Sequence, residues 1–143
     1  MICWDQWFPE AARLTALKGA DVLFYPTAIG WHPKEKEEYG VNQYGAWMNV
    51  MKGHAVANGV YVAAANRIGL EKYLPNTDGL EFWGASFIAG PQGEILAQAS
   101  HDKEEILIAE VDLDLQENVR QNWPFFRDRR IDAFGDITKR AID

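Results

Sequence analysis

Apolar and polar positions along the chain alternate between two rhythms. "PEAARLTALKG" (9–19) runs through good helix formers, opens on Pro9 and Glu10, which suit a first turn, and closes at Gly19. "ADVLFYP" (20–26) is a short apolar run ended by Pro26 and reads as a buried strand. "TAIGWHPKEKEEYG" (27–40) reads as a long loop, a kind of segment that often carries function in compact domains. From Asn42 to Asn58 the residues Trp47, Met51, His54 and Asn58 recur at steps of four, three and four, which puts them near one face of a helix that Gly59 terminates.

A second buried strand follows in "VYVAAANR" (60–67), where small residues permit close packing. "FWGASFIAGPQGEILAQAS" (82–100) holds two strands around a Pro91-Gln92-Gly93 turn. "EEILIAEVDL" (104–113) alternates as a final strand, and "LDLQENVRQNW" (113–123) reads as a short helix capped by Asp112 or Asp114. The order helix, strand, helix, strand, hairpin, strand, helix, tail predicts a layered α/β domain with a mixed sheet. The chain has no internal repeat and no Gly/Ser-rich linker. "MIC" reads as the remainder of a strand leading into Cys3, so the chain is expected to be the second part of a larger fold.

Composition narrows the function classes. The 143 residues are 48% apolar and 24% charged, enough for one globular core, and the net charge of −7 disfavours a phosphate-backbone partner. A single cysteine allows no internal disulfide, which favours a reducing compartment. No apolar run approaches the roughly 20 residues that span a bilayer, and the N-terminus lacks the pattern of a signal peptide. The expectation is a soluble, cytoplasmic protein that binds neither nucleic acid nor membrane.

Cys3 is the most informative residue. It precedes a helix start, where backbone N–H groups stabilise a thiolate or an oxyanion. By itself it reads either as a nucleophile or as a buried inert thiol. No metal or cofactor is expected: His32, His54, His101 and Cys3 lack ligand spacing, and the glycines form no phosphate-cradling motif. Ser86 and Ser100 lie outside any GxSxG context. His54 reads as a hydrogen-bonded core residue, and Asp5, Glu10 and Arg13 as a charged cluster behind the cysteine. Asn66 and Arg67, at a strand end, either line the site or tie down a loop.

Four blocks in order, "CWDQWFPEAARLTALKGADVLFYPTAIG", "GHAVANGVYVAAANRIG", "FWGASFIAGPQGEILAQAS" and "FFRDRR", closely resemble the nitrilase superfamily of carbon–nitrogen hydrolases. The resemblance implies a four-layer α-β-β-α sandwich, of which residues 1–143 are the C-terminal part of a single domain. It also implies a cysteine thiolate that attacks an amide, nitrile or carbamoyl carbon, a glutamate as general base and acid, and a lysine at the oxyanion. Cys3 matches the nucleophile, and the backbone N–H of Trp4 matches an oxyanion donor. The family's glutamate and lysine precede its cysteine, so none of Glu10, Glu35, Lys18 or Lys34 takes those roles. That leaves two expectations: an amidohydrolase of a small molecule, or a non-catalytic fragment or pseudoenzyme.

By the same resemblance the substrate-binding residues are Gln6, Trp7, Thr27, Ala28, Trp31 and His32. Relatives that act on carboxylate substrates such as ureidopropionate carry arginine just after the cysteine, whereas Gln6 and Trp7 stand here, which favours a substrate ending in an amine. Trp4, Trp7 and Trp31 are candidate walls for an alkylammonium group, and Glu35, Glu37 and Glu38 are candidate partners for it. The helices and the "WPFFRDRR" tail, anchored by Phe125 and Phe126, are expected to form a homo-oligomer interface.

Overall fold

The computed structural model describes residues 1–142. Helix α1 spans Pro9–Leu17, α2 Lys36–Asn58 and α3 Leu113–Asn122. The strands are β1 (Val22–Thr27), β2 (Gly30–Trp31), β3 (Tyr61–Asn66), β4 (Ile68–Glu71), β5 (Leu80–Trp83), β6 (Phe87–Ala89) and β7 (Ile95–Gln98). Short 3-10 turns lie at Cys3–Trp7 and Gly135–Thr138. No helix among the described residues is long and apolar enough to cross a membrane.

The larger sheet has the order β1-β3-β6-β7, parallel at its first pair and antiparallel at the other two, so it is mixed as expected. The smaller, β2-β5-β4, is antiparallel. Alternation along β1 buries Leu23, Tyr25 and Thr27 and turns Phe24 and Pro26 outward. The buried set joins Ala12 and Ala16 of α1, Trp47, Met51 and Ala55 of α2, Val62 and Ala64 of β3, and Phe87 and Ala89 of β6 in one core. Gly59 ends α2 in the left-handed region at φ 55°, which a residue without a Cβ enters at no steric cost.

Several boundaries differ from the sequence pattern. Strand β1 continues through Pro26 because it lies at the edge of its sheet, where a missing N–H is tolerated. The expected loop 27–40 contains β2 and the first turn of α2, whose Glu37 and Glu38 favour a helix N-terminus by charge rather than by apolar spacing. Strand β4 has only the residues "IGLE" and gives almost no alternation to detect. The segment 104–113 is not a strand: residues 104–112 are irregular, and Ile106 and Ile108 are 90% and 87% exposed. Alternation there finds no ladder to pair with, and a strand exists only through its partner's hydrogen bonds.

Helix α3 is capped by Asp112, whose Oδ1 accepts the Leu115 N–H at 2.9 Å. Gln116 Nε2 donates to the carbonyls of Asp21 and Gly59, both at 3.0 Å. Arg120 donates to the Gly59 carbonyl at 2.9 Å, the Ala20 carbonyl at 3.2 Å and the Asp21 carboxylate at 3.3 Å. The last helix is thereby tied to the end of α2 and the start of β1.

Candidate active site

Cys3 heads the first turn with its backbone in the left-handed region at φ 51°, which a non-glycine residue adopts at a cost of about 1–2 kcal/mol. Its thiol is free and half-buried. Local bonds hold the turn: Ile2 N–H donates to the Asp5 carboxylate at 3.1 Å, Asp5 N–H to the Ile2 carbonyl at 3.2 Å, and Phe8 N–H to the Asp5 carbonyl at 3.2 Å. Cys3 and Trp4 are its first two positions, and their N–H groups have no acceptor within the turn.

Gln6 is 1% exposed and bonded on three sides. Its Nε2 donates to Thr27 Oγ1 at 2.9 Å, its Oε1 accepts Trp47 Nε1–H at 2.8 Å, and its main-chain oxygen lies 2.8 Å from His54 Nε2. A carbonyl only accepts, so His54 carries its hydrogen on Nε2. Burial lowers the His54 pKa and the bond to Gln6 opposes that shift, so the ring is neutral at neutral pH. The ring stacks on Tyr25 at 5.8 Å and 22°. Burial, reinforced by the Asp5 charge, raises the Tyr25 pKa, and its hydroxyl has no hydrogen-bond partner among the described residues.

Gln6 and Thr27 were expected to face substrate; both are buried and bonded to each other, which braces the turn. Trp4 is 69% exposed beside the thiol and meets Trp7 edge-on at 6.3 Å. Trp7 is half-buried, with an Nε1–H that has no partner among the described residues. Ala28 is half-buried after β1, and His32 is exposed.

Trp31 belongs to a different grouping. Lys36 Nζ sits 4.5 Å above its ring, its Nε1 donates to the Gly40 carbonyl at 3.0 Å, and Trp83 and His101 pack at 5.4 and 6.0 Å. A cation from the chain itself therefore occupies one face of the Trp31 ring.

The cluster expected of Asp5, Glu10 and Arg13 does not form. Asp5 bonds within its own turn, while Arg13 lies over the Phe126 ring at 5.1 Å with its Nη1 buried and unpartnered. Burial and the nearby Arg129 lower the Arg13 pKa. Lys34 pairs with Asp78 at 2.7 Å, and Lys36 with Glu81 at the same distance. Asn66 ties down a loop: it bonds both the N–H and the carbonyl of Ile29, at 2.9 and 3.0 Å. Arg67 pairs with Glu71 and lies over Phe82.

Sequence reasoning missed Trp47 as the partner of Gln6. The seven-residue step from Trp47 to His54 along one helix face was the available signal. No group of three or more metal-ligating side chains occurs among the described residues.

A free thiol on a strained turn, backed by a mixed α/β core, is an arrangement suited to a cysteine nucleophile. The carbon-nitrogen hydrolase profile matches residues 1–121, and the chain belongs to that family. It is 50% identical over 93% of its length to an N-carbamoylputrescine amidase of Arabidopsis thaliana, of which it covers 44%. It is 43% identical over 97% of its length to a citrullinase of Francisella tularensis, of which it covers 47%. A carbon-nitrogen hydrolase structure from Helicobacter pylori G27 superposes with a TM-score of 0.94 at 51% identity, over 99% of this chain and 49% of that one. The chain thus spans about half the length of the relatives it matches.

Proposed function

We propose that Cys3 is the nucleophile of an amidohydrolase that converts N-carbamoylputrescine and water to putrescine, CO2 and ammonia. The thiolate attacks the ureido carbon, putrescine leaves, and a carbamoyl thioester remains. Water then cleaves the thioester, and the released carbamate breaks down to CO2 and ammonia. The Trp4 N–H supports the oxyanion during attack. The observation that carries this reading is the left-handed Cys3 at the head of an N–H-bearing turn, in a chain 50% identical to a plant N-carbamoylputrescine amidase. The glutamate and lysine roles of the family are assigned to no residue of this chain.

The test is turnover by the Cys3→Ala variant of the enzyme, measured as ammonia release. We expect a loss of at least about a thousandfold, and turnover near the parent level would sink the mechanism. Assaying N-carbamoylputrescine beside ureidopropionate and citrulline tests the substrate. The amine-ended compound is expected to be fastest, and a faster carboxylate-bearing one would move the reading to that class.

A second reading is favoured by the pairing of Lys34 with Asp78 and of Lys36 with Glu81, which leaves neither lysine free for the oxyanion. In it, these 143 residues act only together with further polypeptide. Activity of the purified chain alone would refute it.

A further inference from the structure

The Cys3 turn is five residues long, and the bonds at its two ends join Ile2, Asp5 and Phe8. Trp7 packs against the core, and the hydrogen bonds that tie the turn to it converge on Gln6. That residue is held by β1 through Thr27, and by α2 through Trp47 and His54. Two of these contacts grip the side chain, which can rotate about its own torsions. The contact from His54 is the one that holds the main chain. His54 is itself fixed, by the Tyr25 ring on one side and through its own carbonyl, which accepts the Asn58 side-chain N–H at 2.8 Å.

We propose that His54 is a positioning residue for Cys3: by donating to the Gln6 main-chain oxygen it fixes the turn on which Cys3 keeps its left-handed backbone. This rests on the reading of Cys3 as the nucleophile and adds a residue to it. A strained backbone persists only where its surroundings over-determine it, and small displacements of a reacting group cost large factors in rate. His54 meets the turn through a neutral N–H, so it supplies alignment without placing a charge beside the thiol.

The test uses the chain's single cysteine, which makes labelling unambiguous. The rate of Cys3 alkylation by iodoacetamide at neutral pH is followed by mass spectrometry in the parent and two variants. His54→Phe keeps the ring on Tyr25 and removes the donor, whereas His54→Gln keeps an N–H within reach of the same carbonyl. We expect His54→Phe to slow alkylation about tenfold and His54→Gln to return it to within about twofold of the parent, with folding of each verified by circular dichroism.

An unchanged rate in His54→Phe, or a His54→Gln variant no faster than His54→Phe, overturns the proposal. If His54→Phe does not fold, His54→Leu, which also removes the donor to the Gln6 main-chain oxygen, takes its place under the same tenfold criterion. The nucleophile reading fails separately: turnover retained by Cys3→Ala would sink it without touching the alkylation comparison.

Discussion

On one face of the larger sheet Leu23, Tyr25, Val62, Ala64 and Phe87 lie buried against α1 and α2. On the other face a row runs Phe24, Ala63, Ile88, Ala97 across all the strands in register, with Phe24 65% exposed and the rest half-buried. The residues are apolar on both sides, but only one side is covered. Strands apolar on both faces belong to sheets flanked on both faces, which is what a four-layer sandwich requires of its inner layers. The covered face also contains polar atoms, those of Gln6, Thr27, Trp47 and His54, bonded to one another. Apolar content alone therefore does not separate the two faces, whereas the bonded polar group marks the finished one.

The comparison breaks hardest at Trp47, fully buried and packed against Trp83 at 5.7 Å and Phe87 at 5.3 Å. Trp47→Ala opens a cavity and strands the Gln6 Oε1, and should cost about 3–5 kcal/mol by urea unfolding. A loss below about 1 kcal/mol would mean that the covered face is not the true core.

A smaller effect comes from pH. The folded chain holds the His54 pKa below its unfolded value of about 6.5. On acidification through that value the unfolded chain takes up a proton that the folded chain resists. The contribution of His54 is therefore complete above about pH 6.5 and declines below it. Urea midpoints recorded from neutral to mildly acidic pH should fall, and fall less in His54→Gln. An equal fall in both would assign the titration elsewhere.

The smallest effect is expected on the open face. Phe24→Ser should change the chain's stability by no more than about 0.5 kcal/mol while reducing its self-association in analytical ultracentrifugation. A loss above about 1 kcal/mol would show that face to be covered by the chain itself in solution.

Much of this fold was legible in the chain. The periodicity that set Trp47, Met51, His54 and Asn58 on one helical face marked the side of α2 that is buried, and Asp112 is the cap of α3. What was not legible depended on partners distant in sequence. Residues 104–112 alternate convincingly and still form no strand, because alternation describes a face and not the neighbour that completes it. The family resemblance drew attention to Gln6 and Thr27, but not to the direction in which they point. The inward turn of Gln6 is held by Trp47 and His54, 41 and 48 residues away, and Thr27 meets it there. Trp31 was read as a wall for a substrate cation, and Lys36, five positions later, lies over one face of its ring.

Arg120 joins positions 99 and 100 residues apart when it reaches Asp21 and Ala20. The entropy of closing so long a loop grows only logarithmically with its length, so the contact is thermodynamically inexpensive once made. Its timing is another matter. During synthesis β1 emerges well before α3, whose residues fasten its first end. Until α3 leaves the ribosome, the strand beside the candidate nucleophile lacks that fastening, and the interval in which it is exposed to wrong partners is set by translation rather than by folding.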